Sequence, residues 1–165
     1  MKTWISDRSH AVARVLIPLL LLSGTVGCQT DGAHHGGDDE HHILELRAGD
    51  VMEIQGWSRT SLVIGGNHVW MAPEIAVDEG MIAEVERTGA EGRSLVVTLD
   101  AEGTENLRRL STAQLSRPIV VVVDDRPSSA PIMMSPLETE FRLTADHLTD
   151  EEWDDFVHRL SESTE

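Results

Sequence analysis

Histidine and acidic residues are concentrated in one short segment near the amino terminus of this chain. Residues 29–42 contain His34, His35, His41 and His42, and three acidic residues separate the two histidine pairs. Imidazole and carboxylate groups are ligands for zinc, copper and nickel. The segment therefore has the residue types of a metal site, although a solvated, glycine-containing linker has the same composition. The sequence leaves both interpretations open and predicts no resident cofactor.

The only cysteine of the chain, Cys28, lies where a lipid anchor would be attached. A cationic start precedes an apolar run from Val15 to Val26, and the small residue Gly27 stands directly before the cysteine. The run is shorter than the ~20 residues of a membrane-spanning helix. This order resembles the signal of bacterial lipoproteins, and the resemblance implies cleavage before Cys28 and acylation of its thiol. An ordinary secretory signal with a spare thiol is the alternative.

The lipoprotein resemblance also implies a location. The acylated protein would sit at the cell envelope, bound to membrane lipid and facing the periplasm or the exterior. Gln29 follows the cysteine, and in lipoproteins of bacteria with two membranes a residue other than aspartate there favours the outer membrane.

The composition argues against two classes of function. The 165 residues carry a formal net charge of −16, which disfavours binding to nucleic acid and to anionic membrane surfaces.

The sequence shows no catalytic motif. Ser128 and Ser129 do not lie in a nucleophile-elbow motif, and the chain has no glycine-rich phosphate loop. Asp124 and Asp125 could hold a cation or act as acid and base, but they are expected to form a turn. We therefore expect a protein that is not an enzyme.

Four segments follow from these patterns. We predict a signal peptide at residues 1–27 and a flexible, His- and Asp-rich tether at 28–42. Amino-terminal strands are expected at 43–67, and an α+β domain at 68–162. The domain must position whatever site the protein has, because the tether cannot bury a core.

Short apolar runs predict most of the strands of the domain. The run from Ile119 to Val123 has no polar alternation, which indicates a strand covered on both faces. Trp57 and Trp70 flank a predicted hairpin and either form a binding surface or pack against it. Met133 and Met134 are expected to fill gaps in the core. The other predicted strands are residues 43–46 and 51–54, which flank an Ala-Gly-Asp turn, 61–64 and 68–71, which flank Gly65-Gly66, and 81–87, 95–99 and 138–143. Residues 130–134 are predicted to be extended.

Two helices are predicted. Asp100 can cap a helix that runs to about Leu115, although Gly103 near its start weakens it by up to ~1 kcal/mol relative to alanine. Thr149 and Glu152 form the pattern of a capping box at the start of the second helix. Its apolar face has helical spacing and consists of Trp153, Phe156, Val157 and Leu160.

Three pieces of the chain, in the same order and at the same spacing, resemble the head subdomain of the large periplasmic loop of SecD, in the SecD/SecF protein-export family. The pieces are Thr98–Gly103 with the helix that follows, Ile119–Asp124 followed by Ser129-Ala130-Pro131, and the closing helix opened by Leu148–Glu152. The resemblance covers His68 to Leu160. It implies an α+β fold in which a mixed or antiparallel sheet has two helices packed on one face.

The resemblance implies a class of function as well. In that family the head is thought to engage translocating or neighbouring polypeptide. We therefore expect a membrane-anchored, non-enzymatic module that binds an extracytoplasmic polypeptide or an envelope protein, with a role linked to export or envelope complexes. Its other expected partner is membrane lipid, through Cys28. The alternative hypothesis is a metal-binding lipoprotein that uses the four histidines of the tether.

Overall fold

The computed structural model describes residues 41–89, 92–144 and 148–164. The predicted signal peptide, Cys28, His34 and His35 lie outside these residues. The described elements are β1 (Leu44–Asp50), β2 (Ser58–Ile64), β3 (Asn67–Asp78), a single 3₁₀ turn (Glu79–Met81), β4 (Ile82–Thr88), β5 (Ser94–Leu99), α1 (Ala101–Ala113), β6 (Ile119–Val123), β7 (Arg126–Ser129), β8 (Glu140–Thr144) and α2 (Asp150–Glu162).

The eight strands form two antiparallel sheets. The larger sheet has the order β2-β3-β1-β6-β7, and the smaller has the order β4-β5-β8. The long strand β3 leads through the 3₁₀ turn into β4, so it links the two sheets directly. The predicted α+β class with antiparallel strands is confirmed. The division into two sheets is a feature that the sequence did not indicate.

The first strand differs from its prediction. The Ala-Gly-Asp segment was expected to be a turn, but it continues β1, with Ala48 opposite Ile119 and Asp50 opposite Trp70. Pairing on both sides gives this backbone hydrogen-bond partners that a turn would leave unsatisfied. Residues 51–54, predicted as a strand, therefore lie in the loop that follows β1.

The main core contains side chains from both sheets and both helices. Strand β6 contributes Ile119 and Val121 to this core, while Val120 and Val122 face a second, smaller cluster with Val69. The expectation that this strand is covered on both faces is confirmed. The other buried residues of the main core include Leu44, Leu46, Val77, Leu95, Val97, Leu99, Leu107, Phe141, Leu143, Trp153, Phe156, Val157 and Leu160.

Helix α1 begins where the sequence predicts. The Asp100 side chain accepts a hydrogen bond of 2.8 Å from the amide of Gly103. A Cβ atom at Gly103 would lie 2.9 Å from both the Cβ and the carbonyl oxygen of Met81. Glycine therefore allows the start of the helix to pack closely against the 3₁₀ turn, which offsets its low helix propensity.

Helix α2 has the predicted capping box. The Thr149 amide donates to the Glu152 carboxylate over 2.8 Å, and the Glu152 amide donates to the Thr149 hydroxyl over 3.3 Å. The Thr149 hydroxyl also donates to the Glu152 carboxylate over 2.7 Å. Together with the bond from the Thr149 amide, it holds the pKa of the Glu152 carboxyl below its ordinary value. Neither this helix nor any other helix of the described residues is long and apolar enough to cross a bilayer.

Candidate functional site

A cleft of about 510 Å³ opens between β7 and β8, which are edge strands of the two sheets. Ser128 and Ser129 of β7 line one side, and Arg142 and Thr144 of β8 line the other. The volume is within the range of ligand-binding pockets. The floor and end walls are apolar and include Ile119, Val121, Val123, Leu143, Leu148, Trp153 and Phe156.

Helix α2 supplies the aromatic wall of this cleft. The Trp153 indole nitrogen donates to the carbonyl oxygen of Gly92 over 2.9 Å, and the Trp153 and Phe156 rings lie 5.7 Å apart between centroids. The hydrogen bond fixes the indole against the backbone at Gly92, shortly before β5. The cleft is therefore bounded by a fixed aromatic pair on one side and by two sheet edges on the others.

The chemistry of the cleft favours binding. None of its described lining residues is histidine, cysteine, aspartate or glutamate, and Arg142 is the only one of them that is charged. These residues offer apolar surface and a few hydroxyl groups rather than groups that transfer protons at neutral pH. Edge strands present backbone N–H and C=O groups to an added strand. The arrangement can therefore hold an extended, apolar segment of polypeptide.

Sequence reasoning did not identify this cleft. Its sides come from strands that are distant in the sequence, and their approach depends on how the two sheets pack. One signal was present, because Ser129-Ala130-Pro131, part of the SecD resemblance, lines the cleft.

Asp124 and Asp125 form the turn that the sequence predicts. Both have left-handed backbone angles, with φ of 49° and 60°, as a two-residue hairpin between twisted strands requires. The Asp124 carboxylate accepts two hydrogen bonds of 2.7 Å from Arg159 of α2, and these bonds lower the pKa of the Asp124 carboxyl. Arg159 also donates to Asp155 over 2.9 Å. The pair therefore ties the hairpin to α2.

His41 and His42 contact carboxylates of the domain. His41 Nδ1 lies 2.5 Å from Asp125 Oδ2, and its Nε2 lies 3.8 Å from Asp124 Oδ1. His42 Nδ1 lies 3.3 Å from Glu79 Oε1. The sequence assigned both histidines to the tether, whereas their side chains lie against the domain.

The predicted metal ligands are thus divided. Within residues 41–89, 92–144 and 148–164, no group of three or more His, Cys, Asp and Glu side chains is placed to hold a metal ion. His34 and His35 lie outside those residues, so the set of four histidines stays a prediction.

The fold is similar to solved structures of SecDF. One, described as a membrane component that enhances protein export, superposes with a TM-score of 0.53 at 12% identity, over 74% of this chain and 63% of that chain. Another, SecDF in a super-membrane-facing form, gives a TM-score of 0.51 at 14% identity, over 73% of this chain and 19% of that chain. No protein-family model and no curated protein matches this sequence.

These similarities concern the fold. The chain spans less than two thirds of the length of either matched SecDF chain. At this level of identity, the comparison supports the SecD-like fold that the sequence resemblance implied.

Proposed function

We propose that this protein is a lipid-anchored, extracytoplasmic module that binds other polypeptides and catalyses no reaction. The observation that carries the proposal is the apolar cleft between the edge strands β7 and β8. The similarity to SecDF, which is described as enhancing protein export, supports a role in export or in an envelope complex.

The expected ligand is an extended polypeptide segment with apolar side chains. Its side chains would be buried against the cleft floor, where each large one contributes roughly 1.5–3 kcal/mol. Its main chain would pair with the outer edge of β7 or β8. Ordering the segment opposes binding by several kcal/mol. Two to four buried side chains therefore correspond to weak, reversible binding, as a module that handles many sequences requires.

Binding can be tested with the mature chain, residues 28–165, and a dye-labelled peptide of alternating leucine and serine. Ser129→Trp places a large side chain at the cleft, while Ser58→Trp is the matched control on the exposed start of β2. Fluorescence anisotropy should show at least tenfold weaker binding for the first variant, about 1.4 kcal/mol, and unchanged binding for the control.

Thermal melting of both variants separates blocked binding from unfolding. If Ser129→Trp melts like the control and binds the peptide as tightly as the natural chain does, the cleft is not the binding site. If the natural chain itself does not bind the peptide, the proposed function is wrong.

The anchor has its own test. We propose that Cys28 is acylated and holds the protein to a membrane facing the periplasm or the exterior, the outer membrane in bacteria with two membranes. Mass spectrometry of the processed protein should find an acylated amino-terminal cysteine, and Cys28→Ser should move the protein to the soluble fraction. A processed protein with an unmodified Cys28 would contradict the anchor without affecting the cleft.

A further inference from the structure

Apolar side chains are exposed together at one end of the domain. Six large hydrophobic residues are exposed among the described residues, and five of them adjoin the connection between α1 and β6. Met52 is 67% exposed and Met134 is 84% exposed. We call these five residues the end patch: Val51, Met52, Leu115, Ile132 and Met134. The sixth, Val63, lies on β2.

Backbone pairing brings the end patch together. The amide of Gly49, at the end of β1, donates to the carbonyl oxygen of Pro118 over 3.1 Å. Pro118 forms a bridge with Ile132, and Leu115 forms one with Met133. The loop after β1, the connection after α1 and the segment after β7 are therefore neighbours, although they are distant in the sequence.

The end patch carries little charge on a strongly acidic chain. Residues 131–137 contain no charged side chain, and Glu53 is the only one in 51–57. Arg117, between Leu115 and Pro118, pairs with the buried carboxylate of Asp50 over 3.6 Å. The chain as a whole has a net charge of −16, so contact between two copies is opposed by like-charge repulsion. A lipid surface without net charge does not repel the chain in this way.

Two tryptophans adjoin the same end. Trp70 lies opposite Asp50, the last residue of β1, and Trp57 directly precedes β2 in the loop that also holds Met52. Both side chains are partly exposed. Tryptophan is enriched where protein meets the interface of a bilayer, because its ring is apolar and its N–H is polar.

We propose that the end patch rests on the zwitterionic lipid surface of the membrane that holds the anchor. The inference relies on the anchor of the proposed function, since a small patch binds lipid appreciably only when it is already held nearby. Apolar side chains on an otherwise polar surface bind by entering the boundary between headgroups and acyl chains. The occupant is therefore lipid without net charge.

The length of chain before the domain permits this contact. His41 follows Cys28 by 13 positions, and a chain of that length spans at most ~45 Å. Strand β1 has seven residues, so its two ends lie ~20 Å apart. The lipid on Cys28 and the end patch can therefore touch the same bilayer.

The test uses the mature chain with its single cysteine. Coupling Cys28 to maleimide lipid in phosphatidylcholine vesicles replaces the natural anchor by a chemical one. Brominated acyl chains should then quench the fluorescence of Trp57 and Trp70, whereas Trp153, 3% exposed in the core, should stay unquenched. Trp57→Phe and Trp70→Phe variants assign the signal. Vesicles that contain anionic lipid should give less quenching than phosphatidylcholine vesicles, because the chain has a net charge of −16.

The variant Met52→Ser, Met134→Ser should lose most of the quenching, and Val63→Ser, an exposed residue outside the patch, should retain it. Absence of quenching in the natural chain, or equal quenching in both variants, would overturn the proposal. Sedimentation showing a dimer that the double variant abolishes would assign the patch to a second copy instead. Because coupling is chemical, failure here is distinct from failure of natural acylation, which mass spectrometry of Cys28 reports.

Discussion

The two ends of β1 have opposite surface chemistry. At its start, carboxylates have partners within the domain: Asp125 contacts His41, Asp124 pairs with Arg159, and Glu79 contacts His42. At its other end, Met52 and Met134 are exposed with the rest of the end patch.

We propose that this difference decides which end of β1 meets the membrane. The paired groups at the start of β1 already have partners within the domain. They hold the β6–β7 hairpin to α2, and they hold His41 and His42 against the domain. Exposed apolar side chains gain from a partner, because burial removes them from water. The following predictions test this assignment, from the largest effect on stability to the smallest.

Gly49→Ala should have the largest effect. A Cβ atom there would lie 2.9 Å from Val120 Cγ2 and 3.1 Å from the Pro118 carbonyl oxygen, so the variant should lose ~1–3 kcal/mol of unfolding free energy. Denaturant unfolding measures this loss. A double-mutant cycle with Val120→Ala should show that the two losses of unfolding free energy are coupled. If the losses are additive, the close approach to Val120 does not cause the destabilisation by Gly49→Ala.

Thr149→Ala should remove the capping box of α2. The hydroxyl that accepts from the Glu152 amide disappears, which should cost ~1 kcal/mol. Thr149→Ser keeps the hydroxyl and is the matched control in thermal melting. Equal melting of both variants would show that the cap does not stabilise this helix.

Asp124→Asn tests the ion pair between Asp124 and Arg159 at the start of β1. Asparagine tolerates the left-handed backbone angle but lacks the charge that Arg159 contacts. The side chain is 35% exposed, so solvent screening reduces the loss to below ~1 kcal/mol at neutral pH. Asp125→Asn, at the other turn position, keeps the Asp124–Arg159 pair and alters only the contact with His41, so it separates the pair from the turn.

The same pair predicts a pH dependence. Arg159 lowers the pKa of the folded Asp124 carboxyl, so the unfolded chain takes up its proton at a higher pH than the folded chain does. The contribution is complete above the unfolded pKa of ~3.9 and disappears as the pH falls through the lower folded value. Urea unfolding should therefore show the natural chain and Asp124→Asn converging in stability below pH ~4. A constant difference down to acid would contradict the pair.

The smallest change in stability should come from the end patch. Met134→Ser alters a side chain that is 84% exposed, so its unfolding free energy should stay within ~0.5 kcal/mol of the natural value. Met133→Ser, its buried neighbour at 9% exposure, should lose clearly more in the same urea titration. Comparable losses would mean that Met134 is part of the core.

The sequence predicted the elements whose signals are local. The capping residues Thr149 and Glu152, the apolar spacing of α2, the hairpin at Gly65-Gly66 and the uninterrupted run of β6 each indicate structure within a few residues. These features agree with the fold, because short-range hydrogen bonds and periodic burial determine them.

Features that depend on distant pairing were not predicted. The residue types of Ala48–Asp50 are typical of a turn. These residues form part of a strand because β6 and β3 pair with β1 on either side. Met133 was correctly expected in the core, but Met134, expected beside it, points outward. The cleft between β7 and β8 and the end patch each combine separate segments, so no local pattern contains them.

The most direct test of the polypeptide-binding account is a methyl NMR titration of the mature chain with the apolar peptide. The account predicts shifts concentrated on the cleft floor, at Val121, Val123 and Leu143, and no response at Val51 or Ile132 of the end patch. Shifts confined to the end patch, or no shifts at all, would contradict it.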